Sequence, residues 1–265
     1  MDIGAIDRSG TQGTSWLHRA TPRSKLLGVA LVLAAAIVSW NFLVLFALVL
    51  VLFAAALSAD LDVKLTLTLS LYPAFFAAIF AFASAPSWLG ALVIVLKAVT
   101  AALAVVTIVL TTPYPQVFAP LQRVAPGLVG DALLMTYRTL FLLLERFADV
   151  VRSIRLRSGV GRSPARALRM GAASLGNVLL YSIDLAEREY DVMRLRGYNG
   201  RLEITVPTRA RTFAEALLLA GGGASLFVAV AWRLGAAGLN PYSWLVLVPA
   251  LVALATGAYV RRRSA

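Results

Sequence analysis

Two stretches of the chain spell almost the same phrase. Residues 153–161 read SIRLRSGVG, and residues 192–200 read VMRLRGYNG. Superposing Arg157 on Arg196 also superposes Arg155 on Arg194, Leu156 on Leu195, Ile154 on Met193 and Gly161 on Gly200. A guanidinium is a planar, permanently charged fork of donors that can bond a carboxylate or backbone carbonyls in pairs. A small residue directly after it, Ser158 or Gly197, allows close approach of a partner and lets the chain leave a helix through a left-handed cap. Arginines in a last helical turn also complement the helix dipole. That accounts for any one of them but not for the repetition. Two tips of matched chemistry, Leu156-Arg157-Ser158 and Leu195-Arg196-Gly197, fit two equivalent sockets, and hence a dimeric, pseudo-symmetric partner. Arg155, Arg194 and Gly159 support the helix ends that carry them.

The shafts behind the tips are legible as helices. From about residue 131 to 157, Leu133, Leu134, Tyr137, Phe141, Leu144, Ala148, Val151 and Ile154 recur mostly at spacings of three and four, which predicts a helix with a face meant for burial. From about 163 to 196, Leu175, Val178, Leu179, Ile183, Ala186, Tyr190 and Met193 keep the same rhythm, behind Ser163 as N-cap and Pro164 at the first helical position. Ahead of both runs the proline-punctuated stretch TTPYPQVFAPLQRVAP, where Val117, Phe118 and Leu121 beside Arg123 predict a short interfacial helix or else a linker.

Composition says what surrounds these elements. The chain is 60% hydrophobic and 14% charged, with mean hydropathy +0.80, against roughly 45–50% and about 25% in soluble domains. That excess of apolar surface predicts an all-α integral membrane protein. The absence of cysteine excludes disulfides and thiolate metal sites, and with one histidine, His18, a histidine-built metal site is not expected. Net charge is +12, and 15 of the 25 Lys and Arg lie between Arg123 and Arg211. In so apolar a chain that clustering reads as membrane topology and not as nucleic-acid binding.

The uncharged run between Lys25 and Asp60 would extend about 51 Å as one helix, well beyond a hydrocarbon core of about 30 Å. It therefore folds back at Ser39-Trp40-Asn41, giving spans near 24–40 and 42–59. A break at residues 84–88 separates spans near 65–83, with Pro73 inside as a kink, and 88–112. Spans near 213–232 and 243–260 follow, with the loop RLGAAGLNPYS between them. Six spans place both termini on one side. Arg8, Arg19, Arg23 and Lys25, the basic middle, and Arg261-Arg262-Arg263 mark that side as cytoplasmic, since the opposite loops carry only Arg233. The first 25 residues are polar, so no cleavable signal peptide is expected. The organisation is thus a four-span bundle over 1–112, a cytoplasmic insert over 113–211 and a two-span hairpin over 212–265. Lys97 falls inside the fourth span, where a charge either marks a functional site or snorkels to the nearer surface. With no acid in the spans apart from Glu215 at the start of the fifth, no His or Cys in the insert and no Gly-rich phosphate loop, neither an enzyme nor a self-sufficient carrier is indicated.

These residues resemble a known family. The chain is similar to the transmembrane T component of energy-coupling factor (ECF) transporters, and most of all to its CbiQ-like members associated with cobalt and nickel uptake. The similarity covers nearly the whole chain: IDRSG and LHRATPRSKLL near the start, TTPYP after the fourth span, LLMTYRTLFLLLERFADVVRSIRLRSG in the first long helix and AEREYDVMRLRGYNGR in the second. The last two are the specific ones. In that family the two long helices cross as coupling helices, and each ends in a three-residue motif, commonly Ala-Arg-Gly, that docks into a groove of one of two ABC-type ATPase subunits. The resemblance implies this docking role for Leu156-Arg157-Ser158 and Leu195-Arg196-Gly197. Leucine replaces Ala in both motifs, and Ser158 replaces Gly in the first. It further implies no catalytic residue, metal or cofactor in this chain, with ATP and Mg bound by the partner ATPases, and a separate membrane subunit, CbiM-like or another S component, that binds the substrate. The lipid bilayer is a partner; nucleic acid is not. The implied location is the plasma (inner) membrane of a prokaryote. Cobalt or nickel as cargo rests on IDRSG and RGYNGR; vitamin-type importers use similar T components. Outside this class the alternatives are a membrane anchor that transmits no work and an autonomous membrane protein.

Overall fold

The computed structural model describes residues 13, 15–113, 116–118, 120, 127–158, 164–198, 213–235 and 239–264, and no strand occurs among them. The helices are α1 (Trp16–Arg19), α2 (Pro22–Val38), α3 (Phe42–Ser58), α4 (Val63–Ser84), α5 (Trp88–Thr111), α6 (Gly127–Ser158), α7 (Pro164–Leu195), α8 (Phe213–Leu234) and α9 (Leu247–Ser264), with a 3-10 helix over Asn240–Val246 leading into α9. The chain divides into two compact units, Met1–Val117 with Pro207–Ala265, and Phe118–Val206.

In the first unit the helix starts follow from local chemistry. The Asn41 side-chain oxygen accepts from the amides of Leu43 and Val44 at 2.9 and 3.4 Å, capping α3 at the expected fold-back. Asp62 caps α4 by accepting from Lys64 N at 2.9 Å, and Ser87 caps α5 by accepting from Gly90 N at 3.2 Å. Pro73 lies inside α4, which continues through it. Among the described residues, four segments are long and apolar enough to cross a membrane: Val63–Ser84, Trp88–Thr111, Phe213–Leu234 and Asn240–Arg262. The protein is therefore a multi-pass membrane protein. Helices α2 and α3 have 17 residues each, about 26 Å of rise, which is less than a hydrocarbon core of about 30 Å. At the other hairpin the expected loop is shorter than its sequence suggests. Asn240 to Val246 wind into the 3-10 helix because Pro241 starts the first turn with its φ already set, and Ser243 Oγ bonds back to Asn240 O at 2.6 Å.

Helix α2 packs against α8, α3 against both α9 and α5, and α4 against α5. Small residues set the first two pairings. Gly28 and Ala35 on α2 lie seven residues apart, as do Gly222 and Ala229 on α8, Ala47 and Ala54 on α3, and Ala250 and Gly257 on α9, and all eight are buried. The offset from Gly28 to Gly222 equals that from Ala35 to Ala229, and the offset from Ala47 to Ala250 equals that from Ala54 to Gly257. Both pairs are therefore in parallel register, repeating every two turns. A Cβ added to Gly222 would come within 2.9 Å of the Gly28 carbonyl oxygen, and one added to Gly257 within 2.6 Å of the Ala54 carbonyl oxygen. Where both solvent and core are apolar, such close backbone approach is a main source of helix association.

Polar bonds fix the end of this unit where α2 begins and α9 stops. Lys25 belongs by sequence to the topology signal, yet its side chain is only 4% exposed. Its Nζ donates to Thr111 O at 2.8 Å and Thr112 Oγ1 at 3.1 Å, so the cation closes the carbonyl end of α5, where the helix dipole favours it. Buried Glu215, in the first turn of α8, accepts from Thr21 N, the N-cap amide of α2, at 3.2 Å. Arg261 Nε lies 3.9 Å from Asp60 Oδ1, joining the ends of α9 and α3.

Glycines of α8 and α9 give a sharp test of this packing. Gly222→Ala and Gly257→Ala press a methyl group on a neighbouring backbone oxygen and are expected to cost about 1–3 kcal/mol. For Gly221→Ala, with nothing within 4 Å of the added Cβ, a gain of up to about 1 kcal/mol is expected from helix propensity. Thermal unfolding of the detergent-purified protein should place the first two variants below the parent and the third level with it or above; the same shift in all three would reject the register.

Candidate docking site

The second unit holds α6 and α7, joined by a short connection and antiparallel. The Tyr198 hydroxyl donates to Asp131 Oδ2 at 2.7 Å. Further along, Arg138 Nη2 lies 3.3 Å from Glu189 Oε1, and the Arg146 guanidinium carbon lies 5.2 Å from the centre of the Tyr181 ring. As the α6 partner advances by seven and then eight residues, the α7 partner retreats by nine and then eight, the signature of two helices running side by side in opposite directions. Of the proline-punctuated stretch, 111–113, 116–118 and 120 are described. Phe118 meets the Tyr137 ring edge-on at 6.3 Å, and Tyr137 meets Phe141 likewise at 5.1 Å. Leu121, Arg123 and the N-cap Ser163 lie outside the described residues.

The expected burial of the apolar faces is only partly observed. Leu133, Leu134, Tyr137, Phe141, Val151, Val178 and Met193 are half-buried, whereas Leu144, Ala148, Leu175, Leu179, Ile183, Ala186 and Tyr190 are exposed, and the Ile154 side chain lies outside the described residues. The reason is geometric. A helix in a two-helix hairpin has one neighbour to cover it, so an apolar stripe wider than that contact stays open.

At the end of α7 the arrangement matches the phrase in the sequence. Gly197 has φ +79°, its amide donates to Arg194 O at 3.0 Å, and the Tyr198 amide donates to Met193 O at 3.0 Å. This pair of bonds is the Schellman arrangement, and it uses two of the helix's orphan carbonyls. It leaves Arg194, Leu195 and Arg196 exposed. Tyr198, the next residue, turns back to Asp131, which is 5% exposed. The hydrogen bond that the Asp131 carboxylate accepts from it holds the Tyr198 phenol above the usual tyrosine value, so the phenol stays protonated and keeps this bond through and beyond neutral pH. At the end of α6, Leu156, Arg157 and Ser158 occupy the last helical turn. The side chains of Arg155, Arg157 and Ser158, and all of Gly159, lie outside the described residues. The two leucines that the superposition pairs are among the most exposed apolar side chains, 80% for Leu156 and 89% for Leu195.

The antiparallel register does not bring the two tips together. Arg196 stands two residues before Tyr198 and hence level with the start of α6, whereas Arg157 lies 26 residues beyond Asp131, roughly 39 Å further along a straight helix. Lys97 belongs to the other unit. Its Nζ donates to Ile37 O at 3.0 Å, an otherwise orphan carbonyl in the last turn of α2, and lies 4.3 Å from the centre of the Trp40 ring.

The family model CbiQ, described as cobalt transport protein, matches residues 13–206, from just before α1 to beyond the Arg196 tip. The chain belongs to the CbiQ family. Comparison with curated proteins gives no match. CbiQ proteins are membrane components of transporters, which fits the apolar helices of the first unit. The match takes in both arginine phrases of this CbiQ chain and stops short of α8 and α9. Sequence reasoning passed over Asp131 and Tyr198. The available signal was an aromatic directly after a helix-ending glycine, a position whose side chain commonly folds back onto the end of the helix.

Two substitutions probe how the α7 tip is held. Tyr198→Phe removes the hydroxyl that Asp131 receives, and Gly197→Ala forces a side chain into a left-handed conformation at about 1–2 kcal/mol. Both are expected to speed tryptic cleavage after Arg194 and Arg196 several-fold without altering cleavage after Arg138. Unchanged cleavage in both variants would mean that the tip is held by something else.

Proposed function

We propose that this chain is the transmembrane coupling subunit, the T component, of an ECF-type ABC importer. In this reading Leu156-Arg157-Ser158 and Leu195-Arg196-Gly197 dock into the two subunits of a cytoplasmic ATPase pair, which bind ATP and Mg and do all the hydrolysis. A separate membrane subunit carries the substrate, read here as cobalt, which the family's description supports, or nickel. The protein lies in the plasma membrane of a prokaryote with six passes and both termini in the cytoplasm.

The observation that supports this best is the pair of leucine-arginine tips at opposite ends of one antiparallel hairpin. A single socket needs one tip, and two sockets in a two-fold partner need two, well separated. Each tip offers an apolar side chain beside a charged fork, a combination suited to a groove with a greasy wall and carboxylates or free carbonyls. The apolar residues left open along α6 and α7 supply a surface for the membrane subunit or the interfacial zone. ATP-driven motion of the sockets enters at the arginines and passes through the hairpin, which Tyr198–Asp131 and Arg138–Glu189 tie side to side.

Charge-assisted hydrogen bonds of this kind contribute about 1.5–3 kcal/mol each. Arg157→Ala and Arg196→Ala should each weaken copurification with the ATPases by about 10- to 100-fold and lower cobalt or nickel uptake in cells, with membrane insertion intact. Normal assembly and uptake in both single variants and the double variant would refute docking. Normal docking with uptake of neither metal, but of a vitamin, would redirect the cargo and leave the coupling role standing.

A further inference from the structure

The first unit has a pocket of about 480 Å³ at the end away from Lys25 and Arg261. Its lining includes Ser39, Trp40, Asn41, Trp232 and Arg233. Its frame is internally satisfied: Asn41 Nδ2 donates to Asn240 Oδ1 at 2.8 Å and Ser243 Oγ at 2.9 Å, and Trp232 Nε1 donates to Ser243 Oγ at 3.1 Å. Three groups are left over. The Ser39 hydroxyl is buried, 2% exposed, and has no hydrogen-bond partner. Arg233 has no hydrogen bond or ion pair among the described residues. Lys97, beside Trp40, is bonded only to a neutral carbonyl.

Charge balance narrows what belongs there. The described acids of this unit, Asp60, Asp62 and Glu215, all lie at the opposite end, so two cations face this end without a carboxylate. Such a pocket repels a divalent metal and favours an anion. Four of the five tryptophans, Trp40, Trp88, Trp232 and Trp244, gather at this same end, where indoles mark the depth of lipid headgroups. An anion abundant at that depth is a phosphodiester. A guanidinium bonds one through two parallel N–H groups, and a spare hydroxyl can donate to a third oxygen.

The geometry points to this pocket as a binding site for the phosphodiester headgroup of an anionic membrane phospholipid, held by Arg233 and Ser39 beside Lys97. The headgroup supplies the missing counter-charge, and its acyl chains leave along the exposed apolar flank of the bundle. Because the pocket joins the α2–α3 fold-back to the start of the 3-10 helix, occupancy ties the two hairpins at the end where, among the described residues, no ion pair does so.

Native mass spectrometry of the full-length protein, released from micelles containing phosphatidylglycerol or phosphatidylcholine, tests the assignment. The parent should retain one phosphatidylglycerol in preference to phosphatidylcholine. Arg233→Gln should lower that retention about 10-fold or more, the scale of a lost charge-assisted pair. Ser39→Ala should lower it by a smaller factor, and Arg262→Gln, at the other end, should leave it unchanged. Equal retention of both lipids, or an equal fall in Arg233→Gln and Arg262→Gln, would overturn the proposal. So would inorganic phosphate at millimolar concentration binding alone and displacing the lipid, since the ligand would then be the free anion.

Discussion

Backbone meets backbone twice in the membrane unit, at Gly28 against Gly222 and at Ala54 against Gly257, and the remainder of the bundle is arranged around those contacts. Lipid offers no hydrophobic reward for bringing apolar helices together, so association depends on how closely the surfaces fit. Two small residues seven apart on each of four helices give a fit that repeats every two turns and fixes register as well as distance. Once α2 lies on α8 and α3 on α9, the remaining polar groups have determined neighbours. Glu215 meets the α2 amide, Arg261 meets Asp60, and Asn41 meets Asn240 and Ser243.

Helix starts and stops were legible because they depend on neighbours in sequence. Asn41, Asp62 and Ser87 cap the helices they precede, Pro164 opens α7, and Gly197 closes it in the left-handed conformation that its position required. What the sequence could not reveal depends on distant partners. Lys25 looks like any basic residue flanking a span until the end of α5, more than eighty residues later, is laid against it. Tyr198 and Asp131 are 67 residues apart and acquire meaning only from the hairpin register. The apolar stripes of α6 and α7 are visible in the sequence, but periodicity says which side is apolar and not whether this chain itself covers it. The leucines that replace the smaller residue at both tips were visible as departures; that both stand out almost fully into solvent was not.

The two units divide their labour through different physics. In the membrane unit, specificity comes from steric fit between small residues, with a few polar bonds at the ends. In the helical hairpin it comes from charge and aromatic pairs, Arg138 with Glu189 and Arg146 with Tyr181, which tolerate solvent and leave the arginines of the α7 tip, Arg194 and Arg196, unneutralised by any carboxylate among the described residues.

The roughly 39 Å between the tips has a consequence for any partner that grips both. A strut of fixed length cannot follow converging anchors by sliding, because one end would have to pass through the other's displacement. It turns instead. For a rigid strut the angle grows as the square root of the shortening, so anchors that converge by about 5 Å, close to one helical turn, would swing it by roughly 30°. The hairpin's length thus acts as a gearing ratio, turning a short linear stroke into a large rotation.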